Sequence, residues 1–140
     1  MRDFLNNLHP IRAISPVSVA DDTAEVGEII DRQGYDGLTF VIATGSLADI
    51  DATFAVLVEE GNDSGLSDAA AVADADLLGT EALAGFTFGD DDETRKIGYV
   101  GDKRYIRLTI TPSSNGSAAL FSAVAILGWP SVAATANPPV

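Results

Sequence analysis

Three features of the sequence predict an all-β fold: an antiparallel β-sandwich or jelly-roll-like domain with extended N- and C-terminal segments. Seven or so strand-length segments rich in Val, Ile, Leu and Phe are separated by clusters of Gly, Asn, Asp and Pro. No segment sustains the 3.6-residue apolar period of an amphipathic helix. At 140 residues, 46% of them hydrophobic, the chain suits one domain burying roughly 68% of its unfolded surface. It has no Cys, which excludes disulfides, thiolate catalysis and Cys-based zinc sites.

Residues 1–10 have no clear period and are expected to form an N-terminal arm, with the single domain over 11–130 and an extended, Pro-containing tail over 131–140. Segment 11–20 is β-compatible, but Pro16 has no N–H to donate and confines it to an edge or a broken strand. Segment 24–31 offers Val26, Ile29 and Ile30 to a strand made irregular by Gly27. Segment 38–44 (LTFVIAT) is continuously β-forming and should be buried on both faces, with a loop from Gly45 to Asp51. In 52–60, Phe54, Val56 and Val58 fall on one side of a strand that the Gly61–Gly65 turn ends. Segment 66–78 reads as a weak edge strand with Asp74 and Asp76 projecting together, and 79–93 as a long loop with one short strand near Phe86. Asn115-Gly116 is a hairpin signal before the last strand, 117–127, which is apolar on both faces. Strands apolar on both faces in so small a domain leave one face needing cover, which self-association supplies simply and a well-covered central strand position supplies equally.

The stretch 95–111, RKIGYVGDKRYIRLTIT, reads as two strands folded back on Gly101-Asp102 in a type II′ turn. That register pairs Ile97 with Ile106 and sorts the side chains. Ile97, Tyr99, Ile106, Leu108 and Ile110 share one face, with Arg104 opposite Tyr99; Lys96, Lys103, Tyr105, Arg107 and Thr109 share the other. The stretch holds five of the eight Lys and Arg residues.

Net charge is −13, unevenly placed: 33–94 holds fourteen acidic residues and no Lys or Arg. A basic footprint for nucleic acid is missing from most of the chain. The basic face of 95–111 is therefore expected to meet acidic protein surface, and Lys96, Lys103, Arg104, Tyr105 and Arg107 are the candidate contact residues. No charged start followed by an apolar run marks a secretion signal, and no run of eighteen apolar residues spans a bilayer, so a soluble chain with no membrane partner is expected.

Chemistry-bearing constellations are sparse. His9, the single histidine, lies in the expected arm, which does not suit a Ser-His-Asp site, and one His without Cys does not make a zinc site. The acidic loops around Asp49, Asp63, Asp74 and Asp90–Glu93 are rich in oxygen donors, but none has EF-hand spacing. Neither catalytic residues, nor metal ligands, nor a cofactor are assigned.

The segments FAVLVEEGND (54–63), VADADLLG (72–79) and above all IGYVGDKRYIR (97–107) resemble, in content and order, small structural proteins of tailed bacteriophages and related prophage particles. The resemblance runs from about residue 11 to Pro130. It implies a non-enzymatic decoration or cement protein that binds the major capsid protein on the outer capsid surface of a virion, itself a homo-oligomer, often a trimer. A head–tail or tail subunit, and a β-sandwich module for carbohydrate or a host surface, are the alternatives.

Overall fold

Alternating apolar residues set eleven strands into two packed sheets in the computed structural model, which describes residues 2–139. In chain order these are β1 (Leu8–Val19), β2 (Glu25–Val26), β3 (Ile30–Asp31), β4 (Tyr35–Leu47), β5 (Thr53–Gly61), β6 (Ala70–Ala71), β7 (Leu77–Leu78), β8 (Phe86–Thr87), β9 (Thr94–Tyr99), β10 (Tyr105–Ser113) and β11 (Ala119–Pro130). One helical turn, α1 (Glu81–Ala84), precedes β8. The first sheet has the order β1-β11-β4-β9-β7; the second runs β2-β10-β5-β6, with β3 also on β10 and β8 also on β5. Every pairing is antiparallel. The all-β sandwich is therefore the observed class.

Between the sheets, Phe40, Ile42, Ile97, Phe121 and Leu127 of the first meet Phe54, Val58, Ile106, Leu108 and Ile110 of the second, all buried. Phe54 stacks on Phe86 with centroids 4.7 Å apart, and both meet Phe121 edge-on. Ala123 and Ala125 let the sheets approach along β11. Residues 54, 56 and 58 point inward together as their alternation requires.

Local irregularities fall where the sequence places them. β1 is an edge strand whose register shifts between Arg12 and Ile14 and again before Val17, around Pro16. Gly27 separates β2 from β3. Its N–H donates to Leu108 O (2.8 Å) while the Glu28 N–H donates to Ala13 O (2.8 Å), strapping one sheet to the other. A Cβ on Gly27 would lie 2.5 Å from Leu108 O.

The hairpin expected over 95–111 does not form. Both edges of β9 are occupied, by β4 and β7, and those of β10 by β5 on one side and β2 and β3 on the other. The chain instead crosses from sheet to sheet through 100–104. The expected inward set survives, because Ile97, Tyr99, Ile106, Leu108 and Ile110 are all buried, but they face one another across the core. Arg104 leaves that set and is exposed. Polar contacts hold the crossing. The Tyr99 hydroxyl donates to Glu60 Oε2 on β5 and accepts the Lys103 N–H (3.0 Å). The Arg32 guanidinium donates to the carbonyls of Lys103 and Gly101 and lies 5.5 Å from the Tyr99 ring centroid.

Asn115-Gly116 is likewise no hairpin turn, since β10 and β11 belong to different sheets. Asn115 is buried: its amide donates to Val19 O (3.0 Å) and Asp21 O (3.1 Å), and its N–H to Asp22 Oδ1 (2.7 Å). The weak strand expected over 66–78 resolves into β6 in one sheet, a 3-10 turn at Asp74–Asp76, and β7 in the other. β4 continues to Leu47, into the expected loop, and its outward Thr39, Val41 and Ala43 are not buried.

β1 begins at Leu8, inside the expected arm, and His9 is buried, its ring stacked on Tyr35 with centroids 5.7 Å apart. The tail returns to this end: Thr135 donates from its N–H to Asn6 O (3.0 Å) and from Oγ1 to Leu8 O (2.6 Å).

Candidate interaction surfaces

The five candidate contact residues do not share a face. Lys96 alternates with inward Ile97 on β9 and is exposed on the outer side of the first sheet. Tyr105 and Arg107 lie on the outer side of the second sheet, opposite Asp31 and Glu59 respectively. Most of the charge is consumed within the chain. Arg107 donates to Glu59 Oε1 (2.9 Å), and Arg104 holds Asp31 through two parallel bonds of 2.9 and 2.8 Å while its guanidinium lies over Tyr105. Arg95 meets Asp90 (2.8 Å) and Glu93 (2.7 Å). Arg95, Arg104 and Arg107 of the basic stretch thus pair with acidic groups of their own chain.

The acidic loops are stapled by their own carboxylates. Asp63 accepts the N–H groups of Gly65 and Ser67, and Asp68 those of Asn62 and Asp63. Asp49 accepts from Asp51 and Gly116, and Asp90 from Thr87. The backbone N–H of Ser67 holds the Asp63 carboxyl below its ordinary value, that of Asn62 holds Asp68, that of Gly116 holds Asp49 and that of Thr87 holds Asp90. Asp31 is lowered chiefly by its Arg104 hydrogen bonds. The Tyr99 phenol is pushed up, first by burial and then by Glu60. Among the described residues, no three His, Cys, Asp or Glu side chains converge on a common metal position.

A different surface emerges on the outer side of the first sheet. Strand register sets Pro10, Ile126, Thr39, Gly98 and Leu78 in one row, and Arg12, Val124, Val41 and Lys96 in the next. The outward positions of these strands carry cations at two places and, among the described residues, no Asp or Glu. Leu120, Val124 and Ile126 form an apolar ridge along β11. The same strand was legible as apolar on both faces.

Glycines keep this face level. An added Cβ on Gly37 would lie 2.8 Å from Trp129 Cδ1, on Gly45 3.1 Å from Leu120 Cβ, and on Gly98 3.1 Å from Leu78 Cβ. Each glycine is therefore overlain by an apolar side chain from the adjacent strand. Trp129 breaks the alternation of β11. It has φ of 52°, a left-handed conformation that bulky residues rarely adopt, and it lies outside across Gly37, 69% exposed. Two shallow grooves flank the middle of the ridge. One, of about 320 Å³, lies between Phe4, Leu8, Thr39, Ile126 and Trp129. The other, of about 340 Å³, lies at the opposite end between Pro16, Ser18, Gly45, Leu120 and Ser122.

Sequence reading missed Trp129, Phe4 and Leu78 as surface residues. Trp129 sits between Gly128 and Pro130, where the sequence suggests a strand end and no long-range partner.

No protein-family model matches the chain, and no curated protein matches it in sequence. Solved structures of similar shape include the xylan-binding module CBM15, at 12% identity and a TM-score of 0.44 over 93% of this chain and 95% of that one. The SPBc2 prophage-derived protein YomS is similar at 11% identity and 0.43, over 84% of this chain and 94% of that one. The Clostridium thermocellum endo-1,4-beta-D-xylanase 10B CBM22-1-GH10 modules are similar at 12% identity and 0.46; the match takes in 95% of this chain and 28% of that one. At these values the likeness is one of β-sandwich shape.

Proposed function

We propose that the chain is a virion structural protein of the decoration or cement kind, which binds the major capsid protein on the outside of a tailed-phage capsid and stabilises the shell. One observation carries this reading: the outer face of the first sheet leaves Leu78, Leu120, Val124 and Trp129 exposed, as suits a chain that works inside an assembly. Contiguous exposed apolar side chains mark interaction surfaces. Paired charges on the remaining surface suit solubility. A component that binds assembled shell in preference to free subunits shifts the equilibrium toward the shell by mass action. Lys96 is the candidate residue that this face retains, and Arg104 and Arg107 serve the fold through their ion pairs.

The test is mass spectrometry and electron microscopy of particles produced from the genome that encodes the chain. Many copies as density on the outer capsid surface are expected. Absence from purified particles refutes the reading, and confinement to the tail moves the chain to a tail or head–tail role.

Trp129 favours a second reading, a surface-binding module for carbohydrate, because an exposed indole beside Phe4 and a groove offers a flat apolar platform. Calorimetry against a glycan panel separates the two: saturable single-site binding abolished by Trp129→Ala supports the module.

A further inference from the structure

We infer that the outer face of the first sheet is closed by a second copy of this chain, stacked face to face about a two-fold axis that runs across the strands near Val124. The inference rests on the structural-protein reading and names the occupant of this face, the capsid then being met by other surfaces of the dimer; it stands or falls in a different experiment. Size supports it. The three long strands β1, β11 and β4, spaced about 4.8 Å apart and rising about 3.3 Å per residue, present with β9 roughly 700 Å². Stable interfaces bury about 800 Å² per partner, and homodimer interfaces are the more apolar ones.

Charge selects the partner's approach. On a chain of net charge −13, this face has no Asp or Glu at its outward strand positions among the described residues, and Glu28 reaches its edge only through Arg12 (3.5 Å).

Shape makes the face complementary to itself. Val124 lies midway along the ridge, with Trp129 toward one end and Leu120 toward the other. A two-fold axis across the strands at Val124 exchanges those ends. Trp129 of each copy, which projects at 69% exposure, then enters the other copy's groove of about 340 Å³ at Pro16, Gly45 and Leu120. The glycines beneath Trp129, Leu120 and Leu78 leave the rest level enough for two sheets to stack at about 10 Å. The same axis brings Lys96 and Arg12 each toward its counterpart, so the association tightens as salt screens the like charges.

Trp129 is the single tryptophan of the chain and reports its own burial. Sedimentation velocity and tryptophan emission are measured together over a concentration series at low and high salt. The expected result is a monomer–dimer equilibrium, stronger at high salt, with emission moving to the blue as dimer forms. Val124→Asp is expected to abolish both changes, and Trp129→Ala to weaken the dimer at least tenfold, each with unchanged circular dichroism, and with an unchanged melting temperature at concentrations where the wild type is monomeric. Monomer at concentrations on the order of 1 mM, a trimer, or a dimer with unshifted emission overturns the inference. Particle association is read separately: a monomer found on capsids sinks the dimer alone, and a dimer absent from particles sinks the capsid role alone.

Discussion

Replacing Tyr99 tests the sheet-to-sheet crossing directly. Its ring is buried on β9 of the first sheet, and its hydroxyl donates to Glu60 Oε2 on β5 of the second while accepting the Lys103 N–H. Tyr99→Phe keeps the ring and removes both bonds. A hydrogen bond to a charged group contributes about 1.5–3 kcal/mol. A loss of about 2 kcal/mol is therefore expected. Unfolding entropy of about 2.1 cal/mol/K per residue over 140 residues converts that to a melting temperature lower by about 7 °C. The assay is urea unfolding of wild type, Tyr99→Phe, Glu60→Ala and the double variant. Because the two groups touch, the cycle should return a coupling of at least about 1 kcal/mol. In a hairpin Tyr99 would face Arg104 and never reach β5. Coupling below about 0.5 kcal/mol would refute the crossing.

Two further outcomes follow from the same packing. Gly27→Ala drives a Cβ to within 2.5 Å of Leu108 O and 3.0 Å of Ala13 O, both backbone atoms of opposite sheets; a loss of about 2 kcal/mol or more is expected in denaturant unfolding, and an unchanged midpoint would dismiss the strap. Acid should unfold the chain through its stapling carboxylates. Asp31, Asp49, Asp63, Asp68 and Asp90 lie below the ordinary 3.8 when folded. Their contribution is thus full above about pH 4 and lost as pH falls through the lowered values. Melting temperature followed from pH 7 to about pH 2.5 should hold steady and then drop below about pH 4, with Asp68→Asn removing part of that drop; a flat profile contradicts it.

Alternation alone made much of the sandwich legible. Phe54, Val56 and Val58 had to share a face, and so did Ile106, Leu108 and Ile110, because side chains of a strand repeat every two residues. Pro16 forced a broken edge strand, and Gly27 marked a break between short strands. The apolar surplus on both faces of β11 was legible too, and its second set, Leu120, Val124 and Ile126, lies on the outer face of the first sheet.

What the sequence left open was which strand pairs with which. Inward faces of Ile97 and Ile106 are equally satisfied by a hairpin over one core face or by two sheets meeting across a core, and Gly101-Asp102 permits either. Occupied edges decided it: once β4 and β7 flank β9, and β5, β2 and β3 flank β10, the chain between them must cross. That crossing split Lys96 from Arg107, gave Arg104 to Asp31, and turned an expected basic face into ion pairs within the fold. Trp129 was decided by tertiary structure too, since one left-handed residue carried it out of register and onto Gly37. Local pattern fixes which way a side chain points, a property of a single strand. Partners depend on hydrogen-bond edges contributed by segments far away in the chain, and those are settled when the sheets close.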